Sequence, residues 1–362
     1  MNLLTAALFV AGFFLLIIGA DVLVRGASRL AVSIGVTPLV VAQTVVAYGT
    51  SAPELAVSIR SSLANQSDIA VGNIIGSNIS NILLVLGITA MIRPIGVSKE
   101  LVKFSVPVMI VASIAMLVMG LDGTLSRAEG ILLLAAALLY SVYCIVQSRR
   151  ASASVSEGDE LDESPKFTWS AGSSQLAMVA IGIALLVLGA TWLVDGAVMF
   201  ARLLGVSELL IGLTIIAVGT SLPEIATSIL AGARGKPDIA LGNAIGSNIF
   251  NILLVLGACA TVTGVGVPIQ SAALRFDIPV MLAVAAVCLP IFYTGMSVAR
   301  WEGALFLGYY AAYVLYLILQ ANEHDALDTY STILFGYLAP LTLLTLGGLA
   351  ARSWMRPNPP AS

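Results

Sequence analysis

The sequence predicts an all-helical integral membrane protein made of two five-helix repeats in opposite orientations, with an eleventh, C-terminal helix. Three observations support this fold class. The 362-residue chain is 59% hydrophobic and only 10% charged, with a mean hydropathy of +1.00, whereas soluble domains carry about 25% charged residues. Its apolar runs reach the roughly 20 residues that a spanning helix needs. A polar stretch occurs twice in the chain, 170 residues apart.

This stretch reads AYGTSAPE and then DIAVGNIIGSNISNILLVLG in its first copy, which ends at Gly87. The second copy reads AVGTSLPE and DIALGNAIGSNIFNILLVLG and ends at Gly257. Between Val46 and Gly87, 26 of 42 residues are identical to those 170 positions later, where composition alone gives roughly one match in ten. The chain therefore contains an internal duplication.

Ten apolar runs within the duplicated part are predicted to span the membrane. In chain order they are Leu3–Val24, Val36–Leu63, Ile69–Met91, Phe104–Gly120, Ala128–Val146, Ser174–Phe200, Val206–Ala231, Ile239–Val262, Phe276–Thr294 and Trp301–Gln320. The run Tyr330–Ala351 predicts an eleventh span. Since no basic flank or cleavage site precedes Asp21, we interpret the first run as a spanning helix and not as a cleaved signal.

These spans divide the chain into four parts. They are the first five-helix repeat (residues 1–147), an acidic linker (148–173), the second repeat (174–321) and a C-terminal helix with its tail (322–362). An odd number of crossings per half turns the second half upside down, which is the inverted repeat of many secondary transporters. The composition of the linker favours a solvated, disordered hinge over a regulatory cation-binding loop.

Basic residues predict the orientation. If the N-terminus is outside, the inward segments hold thirteen Lys and Arg residues, and only four face outward. The outward four are Arg60, Arg127, Arg202 and Arg275. This positive-inside bias predicts a multi-pass protein of the plasma (inner) membrane, with the linker and the C-terminus in the cytoplasm.

The remaining composition excludes several functions. A net charge of −3 gives no basic surface for nucleic acid, and the three cysteines lie in separate apolar runs, which argues against disulfides or a metal cluster. The single histidine, His324, disfavours a histidine-based proton relay. We see no nucleophile–base pair, metal triad or phosphate loop, so we expect neither enzyme activity nor a cofactor.

Glu54 and Glu224, one in each copy, lie in the middle of predicted spans. An ionisable residue there costs about 2.5–3.5 kcal/mol on insertion scales and must face protein, water or an ion. The duplication relates the two carboxylates, so we expect them to meet near the bilayer midplane and to ionise together only when cations neutralise them. Protonated or hydrogen-bonded structural glutamates are the alternative, which the rarity of intramembrane acids disfavours.

Neighbouring residues add oxygen atoms around both glutamates. In each copy a threonine, the glutamate and a serine recur every four residues and share one helix face; these residues are Thr50, Glu54 and Ser58, and Thr220, Glu224 and Ser228. Pro53 and Pro223 cannot donate a hydrogen bond, so carbonyl groups of the preceding turn need other partners, such as cations. The next helix adds Asn73, Ser77, Asn78 and Asn81, repeated as Asn243, Ser247, Asn248 and Asn251.

Ion contact is favoured for Ser77 and Asn81 and for their copies, because each pair shares one helix face. For the other four asparagines, ion contact and helix–helix bonding are equally expected. All these ligands are hard oxygen donors, which suit Ca²⁺ or Na⁺ and not zinc or copper. If one Ca²⁺ and several Na⁺ ions shared these oxygens, their binding would be mutually exclusive, which is the physical basis of exchange.

The motifs GTSAPE with GNIIGSNISNILLVLG, and GTSLPE with GNAIGSNIFNILLVLG, resemble the two alpha-repeats of the cation/calcium antiporter superfamily, most closely the prokaryotic sodium/calcium exchangers. The resemblance extends over about residues 3–320. It implies an electrogenic antiporter that moves Ca²⁺ out against inward Na⁺ by alternating access. The implied metal-binding residues are Glu54, Glu224, Thr50, Thr220, Ser51, Ser221, Ser77, Ser247, Asn81, Asn251, Ala47 and Ala217.

Within this set, the resemblance implies that Glu54 and Glu224 are the central Ca²⁺ ligands and that the serines form flanking Na⁺ sites. It also implies that the first helix of each repeat slides against the bundle that holds the ions. We interpret Asp21 and Asp195 on those helices as ordinary polar residues near helix ends. Ca²⁺ and Na⁺ are thus expected as transported substrates, within a lipid bilayer and with no nucleic-acid partner.

The sequence departs from the family pattern at two points. Exchangers often carry an Asp at the position of Asn81 or Asn251, and two asparagines leave at most two negative charges, which affects coupling stoichiometry and potassium dependence. The eleventh helix is not needed by a ten-helix core; it could pack against that core or form a dimer contact, so a homo-oligomer stays open.

Three alternatives differ in mechanism. A proton-coupled antiporter of Ca²⁺ or another divalent cation would use the same glutamates, but a proton needs no cage of hydroxyl and amide groups. A cation channel is disfavoured because channels need weak binding at several sites. A membrane enzyme is the least expected, since the chain lacks the corresponding motifs.

Overall fold

The computed structural model of the chain describes residues 3–156, 169–205, 217–342, 344, 345, 347 and 348. Most of these residues are helical, and among them eight helices are long and apolar enough to cross a membrane. The predicted all-helical membrane fold is therefore confirmed. The five-plus-five division of the crossings stays a prediction. Linker residues 157–168 and the start of the seventh predicted span, 206–216, lie outside the described residues.

The described helices follow the order of the predicted spans. They are α1 (Leu3–Ile34), α2 (Pro38–Thr50), α3 (Ala52–Leu63), α4 (Ser67–Ile92), α5 (Leu101–Met119), α6 (Arg127–Ser156), α7 (Trp169–Leu203), α8 (Ala217–Gly219), α9 (Leu222–Ala233), α10 (Pro237–Val262), α11 (Ala273–Tyr293), α12 (Arg300–Ala321) and α13 (Leu327–Ile333). Helix α13 continues through a π-helical stretch, Leu334–Leu338, to residue 342. It occupies the first part of the predicted eleventh span.

The second predicted span is broken into α2 and α3. The break lies at Ser51, whose backbone angles (φ −80°, ψ 8°) depart from the helix, and Pro53 follows in the first turn of α3. Proline has no N–H to donate and its ring crowds the preceding turn, so it favours a helix start over a continuous helix. Ser221 (φ −85°, ψ 4°) and Pro223 form the same break before α9. Each break places the glutamate of its motif in the first turn of a helix, where the helix dipole favours an anion.

Helices α4 and α10 form the centre of the molecule. The spanning stretch of each is 78% buried, whereas the other long spanning helices are between 6% and 39% buried. Both central helices carry a widened, π-helical segment, Asn81–Leu86 in α4 and Asn251–Leu256 in α10. Such segments are frequent at functional sites. The duplicated polar motif therefore occupies the most enclosed part of the fold.

Two short antiparallel sheets connect loops of the two halves. Strand β1 (Ile95–Gly96) pairs with β4 (Ser297–Val298), and β2 (Thr124–Leu125) pairs with β3 (Val267–Pro268). The distribution of basic residues assigns the loops of β1 and β4 to the inner side of the membrane. It assigns the loops of β2 and β3 to the outer side. Each sheet thus joins loops assigned to one side, while the identity of that side stays a prediction.

Charged residues from separate helices meet around Asp21. Its carboxylate pairs with Arg25 (2.9 Å) and with Arg234, beyond the end of α9. Burial lowers the pKa of the neighbouring Lys236, and nearby arginines lower it further; its amino group donates to Ser28 Oγ (2.7 Å). The interpretation of Asp21 as a polar residue near a helix end is wrong, because it lies well inside the 32-residue helix α1.

Glycines allow helices of different halves to pack closely. Gly87 of α4 faces Gly303 of α12, and Gly257 of α10 faces Gly130 of α6. A Cβ atom at Gly303 would lie 2.8 Å from the carbonyl oxygen of Gly87, and one at Gly130 would lie 2.8 Å from that of Gly257. Small residues permit this close approach inside membranes.

We predict that Gly303→Ala destabilises the protein by about 1–3 kcal/mol, because the added methyl group meets backbone atoms that cannot move aside. Thermal unfolding in detergent measures the effect as a lower midpoint. Gly308→Ala is the matched control, since this glycine lies on the same helix with open space around it. Equal midpoints for the two variants would contradict the proposed contact between α4 and α12.

Candidate ion-binding site

Two glutamate side chains lie in the centre of the molecule, and both Glu54 and Glu224 are 0% exposed. Glu54 Oε1 accepts hydrogen bonds from Ser77 Oγ (3.4 Å) and from Ser221 Oγ (3.5 Å). Ser77 lies in the same half of the sequence as Glu54, whereas Ser221 lies in the other half. The carboxylate is therefore held from both halves.

Glu224 has equivalent surroundings, with the halves exchanged. Its Oε1 atom accepts hydrogen bonds from Ser247 Oγ of its own half and from Ser51 Oγ of the other half, both at 3.3 Å. The two carboxylates and the four predicted serines are thus brought together. These hydrogen bonds are long compared with the usual 2.7–2.8 Å or so for hydroxyl donors. The hydrogen bonds from these hydroxyl groups to the carboxylates are therefore weak.

Asn73 connects the two halves next to Glu54. Its Nδ2 atom donates to the main-chain oxygen of Glu54 (3.4 Å) and to Ser58 Oγ (3.0 Å), and its Oδ1 atom accepts from Thr220 Oγ1 (3.3 Å). Because both ends of the amide are engaged, Asn73 positions the glutamate turn and the threonine of the other half. These bonds agree with the helix–helix bonding expected at Asn73, and ion contact there stays a prediction.

Asn243 makes the equivalent connections near the second glutamate. Its amide donates to the main-chain oxygen of Glu224 (3.4 Å) and to Ser228 Oγ (3.1 Å), and it accepts from Thr50 Oγ1 (3.0 Å). Thr50 also lies 3.5 Å from Ser247 Oγ. Each predicted threonine is therefore in the site, next to a serine or an asparagine of the other half. Sequence spacing identified these residues but not the bonds between them.

The central helices α4 and α10 cross at two further asparagines. Asn78 Nδ2 donates to the main-chain oxygen of Asn248 (3.3 Å), and Asn248 Nδ2 donates to that of Asn78 (3.1 Å). The duplication is broken here, since Asn251 Nδ2 donates to Asn78 Oδ1 (3.1 Å), while among the described residues Asn81 Nδ2 has no hydrogen-bond partner. Asn78 and Asn248 thus bond the helices together, and Asn81 and Asn251 are not equivalent.

Several buried oxygen atoms have no hydrogen-bond partner among the described residues. Four of them belong to predicted ion ligands: Glu54 Oε2, Glu224 Oε2, Asn81 Oδ1 and Asn251 Oδ1. A buried polar atom without a partner costs about 1–3 kcal/mol, and a charged one costs more. Since all four atoms are acceptors, a bound cation would satisfy them. Carboxylate and amide oxygens of this kind are the ligands that Ca²⁺ prefers.

Ala47 and Ala217 are the first residues of the two motifs. The Ala47 carbonyl oxygen accepts from the N–H of Ser51 (3.0 Å) and from Thr50 Oγ1 (3.5 Å). It therefore already serves the helix break, next to the serine and the threonine of the site. Ala217 begins α8, and its side chain lies outside the described residues. Metal binding by either alanine stays a prediction.

Comparison with known proteins gives one family over both halves of the chain. A sequence profile described as "Sodium/calcium exchanger protein" matches residues 4–146 and 174–319. The profile ends before α13. The predicted resemblance to prokaryotic sodium/calcium exchangers is thereby confirmed.

Individual relatives agree with this match. The chain is 39% identical over 266 residues to the inner membrane protein YrbG of Escherichia coli K12, covering 72% of this chain and 81% of that protein. It is 30% identical over 340 residues to the sodium/calcium exchanger MaX1 of Methanosarcina acetivorans, covering 84% and 96%. A solved structure of the sodium-calcium exchanger NCX_Mj superposes with a TM-score of 0.74 at 33% identity and covers 89% of this chain and 99% of that chain.

We predict that Asn251→Asp destabilises the protein more than Asn81→Asp does. Both variants add a carboxylate, but only the first removes an amide that donates to Asn78, at a cost of about 1–3 kcal/mol. Thermal unfolding measures this difference, and the Asn81 variant controls for the added charge.

The same pair of variants tests the number of charges. A third carboxylate near the site should change Ca²⁺ affinity or sodium coupling, because it strengthens attraction for a divalent cation. Calcium titration calorimetry and transport assays measure both quantities. Both variants could instead have the unfolding midpoint and the Ca²⁺ affinity of the parent. That result would contradict the proposed difference between Asn81 and Asn251 and the proposed effect of a third charge.

Proposed function

The chain belongs to the sodium/calcium exchanger protein family, and on that premise we propose that it exchanges Ca²⁺ for Na⁺ across the membrane. A transporter of this family moves ions and is not an enzyme. The proposal extends the family assignment to the coupling ion, to the residues that bind both ions and to the alternating access that moves them.

The pair of buried glutamates carries the proposal. Glu54 and Glu224 each have one carboxylate oxygen held by serines and one oxygen without a partner among the described residues. Two carboxylates in an apolar interior need two positive charges. One Ca²⁺, with its preference for six to eight oxygen ligands, supplies both charges at a single position between the halves.

Sodium would use the same atoms in a different grouping. Because the hydrogen bonds from Ser51, Ser77, Ser221 and Ser247 are all 3.3–3.5 Å long, their oxygen atoms can turn towards a cation at little cost. Na⁺ ions bound between a serine and a glutamate would neutralise both carboxylates and occupy their oxygen atoms. Ca²⁺ needs the same charges and the same oxygen atoms. Occupation by one ion therefore excludes the other, which couples their movements.

We propose that access alternates as α1 and α7, the first helices of the two repeats, slide against the bundle that holds the carboxylates. Each glutamate is held by one serine of its own half and one of the other half, so this bundle is expected to move as one unit. We assign the halves to residues 1–147 and 174–321, joined by the linker 148–173. We further propose an inner-membrane location with the N-terminus outside and the linker and C-terminus in the cytoplasm, supported by the thirteen-to-four distribution of basic residues.

We predict that Glu54→Gln and Glu224→Gln each lower calcium transport by about 100-fold or more. Removing one carboxylate leaves one positive charge of a bound Ca²⁺ uncompensated, and an uncompensated buried charge costs about 3–5 kcal/mol. Glu323→Gln, in an exposed turn, is the control. Uptake of ⁴⁵Ca²⁺ into proteoliposomes measures transport, and monodisperse elution checks folding. Full activity of Glu54→Gln or of Glu224→Gln would refute the proposed site.

The coupling ion is tested with the same vesicles. Sodium-loaded proteoliposomes are diluted into potassium or choline medium at matched pH, and a parallel sample carries only a proton gradient. Uptake driven by sodium in both media supports a potassium-independent sodium/calcium exchanger. Uptake driven only by the pH gradient would replace the proposal with proton-coupled transport through the same glutamates.

A further inference from the structure

We propose that helices α11, α12 and α13 form a binding cleft for one phospholipid, with an acyl chain inside the cleft and the phosphate at Arg275. We call this space the C-terminal cleft. It is separate from the ion site, and the proposal does not depend on which cation the protein couples to Ca²⁺.

The C-terminal cleft is an apolar cavity of about 380 Å³. On α11 it is bordered by Val280, Val284 and Val287, which share one face of the helix. From Arg275 to Val287 the cleft follows α11 for twelve residues, or about 18 Å at 1.5 Å per residue. Half of the hydrocarbon core of a bilayer is about 15 Å thick. The cleft therefore has the length of an acyl chain in a single leaflet.

Three hydroxyl groups that border the C-terminal cleft, those of Tyr309, Tyr313 and Thr342, are already bonded to protein. Tyr309 Oη lies 2.6 Å from Thr342 Oγ1 and donates to the Leu338 carbonyl (3.2 Å), and Tyr313 Oη donates to Asp277 Oδ1 (3.5 Å). The interior thus offers hydrocarbon and aromatic surface, and apolar cavities of this kind take up apolar ligands in preference to water. An acyl chain matches this lining.

Arg275 supplies the complementary charge at one end. Its side chain is exposed and has no hydrogen bond or ion pair with the described residues. The guanidinium group forms paired, charge-assisted hydrogen bonds with phosphate. Next to it, the rings of Phe276 and Tyr316 stack at 4.2 Å, and Phe335 of α13 packs edge-on against both. Aromatic residues are enriched at the depth of lipid headgroups, so the phosphate end and the aromatic end coincide.

Helix α13 is the wall that closes the cleft. It is fixed to α12 through the Tyr330 hydroxyl, which donates to the carbonyl of Ala312 (2.9 Å), and through the bonds of Tyr309. The family profile ends at residue 319, before this helix. The cleft also reaches Leu83, two residues after Asn81 in the same π-helical segment. A bound lipid would therefore contact the central helix that carries part of the ion site.

Native mass spectrometry of the full-length, delipidated protein tests this assignment. The probe is 1-palmitoyl-2-oleoyl-phosphatidylglycerol, titrated against the parent and three variants. Ala283→Trp fills the C-terminal cleft from α11, Arg275→Gln removes the phosphate contact, and Arg60→Gln changes an exposed arginine at the end of α3 as the control. Diacylglycerol with the same acyl chains but no phosphate serves as a second probe.

We expect one tightly bound phosphatidylglycerol on the parent and on Arg60→Gln, a several-fold weaker affinity for Arg275→Gln, and at least a tenfold weaker affinity for Ala283→Trp. Diacylglycerol should bind the parent and Arg275→Gln equally. Equal phosphatidylglycerol binding by Arg275→Gln and Arg60→Gln would overturn the proposal, and this comparison stands even if the tryptophan variant fails to fold. A dimer that Ala283→Trp dissociates would assign the cleft to a second copy of the chain instead.

Discussion

Two carboxyl groups are enclosed in the centre of an apolar bundle, and much of the architecture compensates for the cost of a negative charge there. Isolated carboxylates at this depth are expensive, and among the described residues neither Glu54 nor Glu224 has a basic partner. The fold provides weaker compensation. The helix starts at Ser51 and Ser221 direct positive dipole ends at the glutamates, and serine hydroxyls reach the carboxylates from α4, from α10 and from the two breaks. This compensation is incomplete, because one oxygen of each carboxylate stays unpaired. A bound cation would satisfy these oxygen atoms, as the proposed ion exchange requires.

Close helix packing encloses the polar segments of α4 and α10 more than any other part of the fold. Close packing at Gly87 and Gly303, and at Gly130 and Gly257, lets the outer helices approach α4 and α10. Asn78 and Asn248 fix the crossing of the central helices through main-chain carbonyls. Since these contacts restrain α4 and α10 against each other, the proposed alternating access is expected to move the helices around them and not the central pair itself.

The sequence predicted the membrane fold and the central residues because both depend on local signals. Apolar length identifies spans, and an acidic residue within such a span is informative by itself. The partners of the asparagines could not be predicted in this way. Spacing placed Ser58 on the face of Glu54, yet Ser58 bonds to Asn73 of a different helix, and the pairing of Asp21 with Arg234 joins residues far apart in the chain. Such bonds are determined by how helices cross, which periodicity within one helix does not contain.

The reciprocal serine contacts also bear on how such a chain can arise. Because each half completes the carboxylate site of the other, two identical half-length chains inserted in opposite orientations could build the whole site as a dimer. Fusion through a linker replaces that encounter with an effective concentration in the millimolar range, so the site no longer depends on expression level. It also frees the two halves to diverge in sequence.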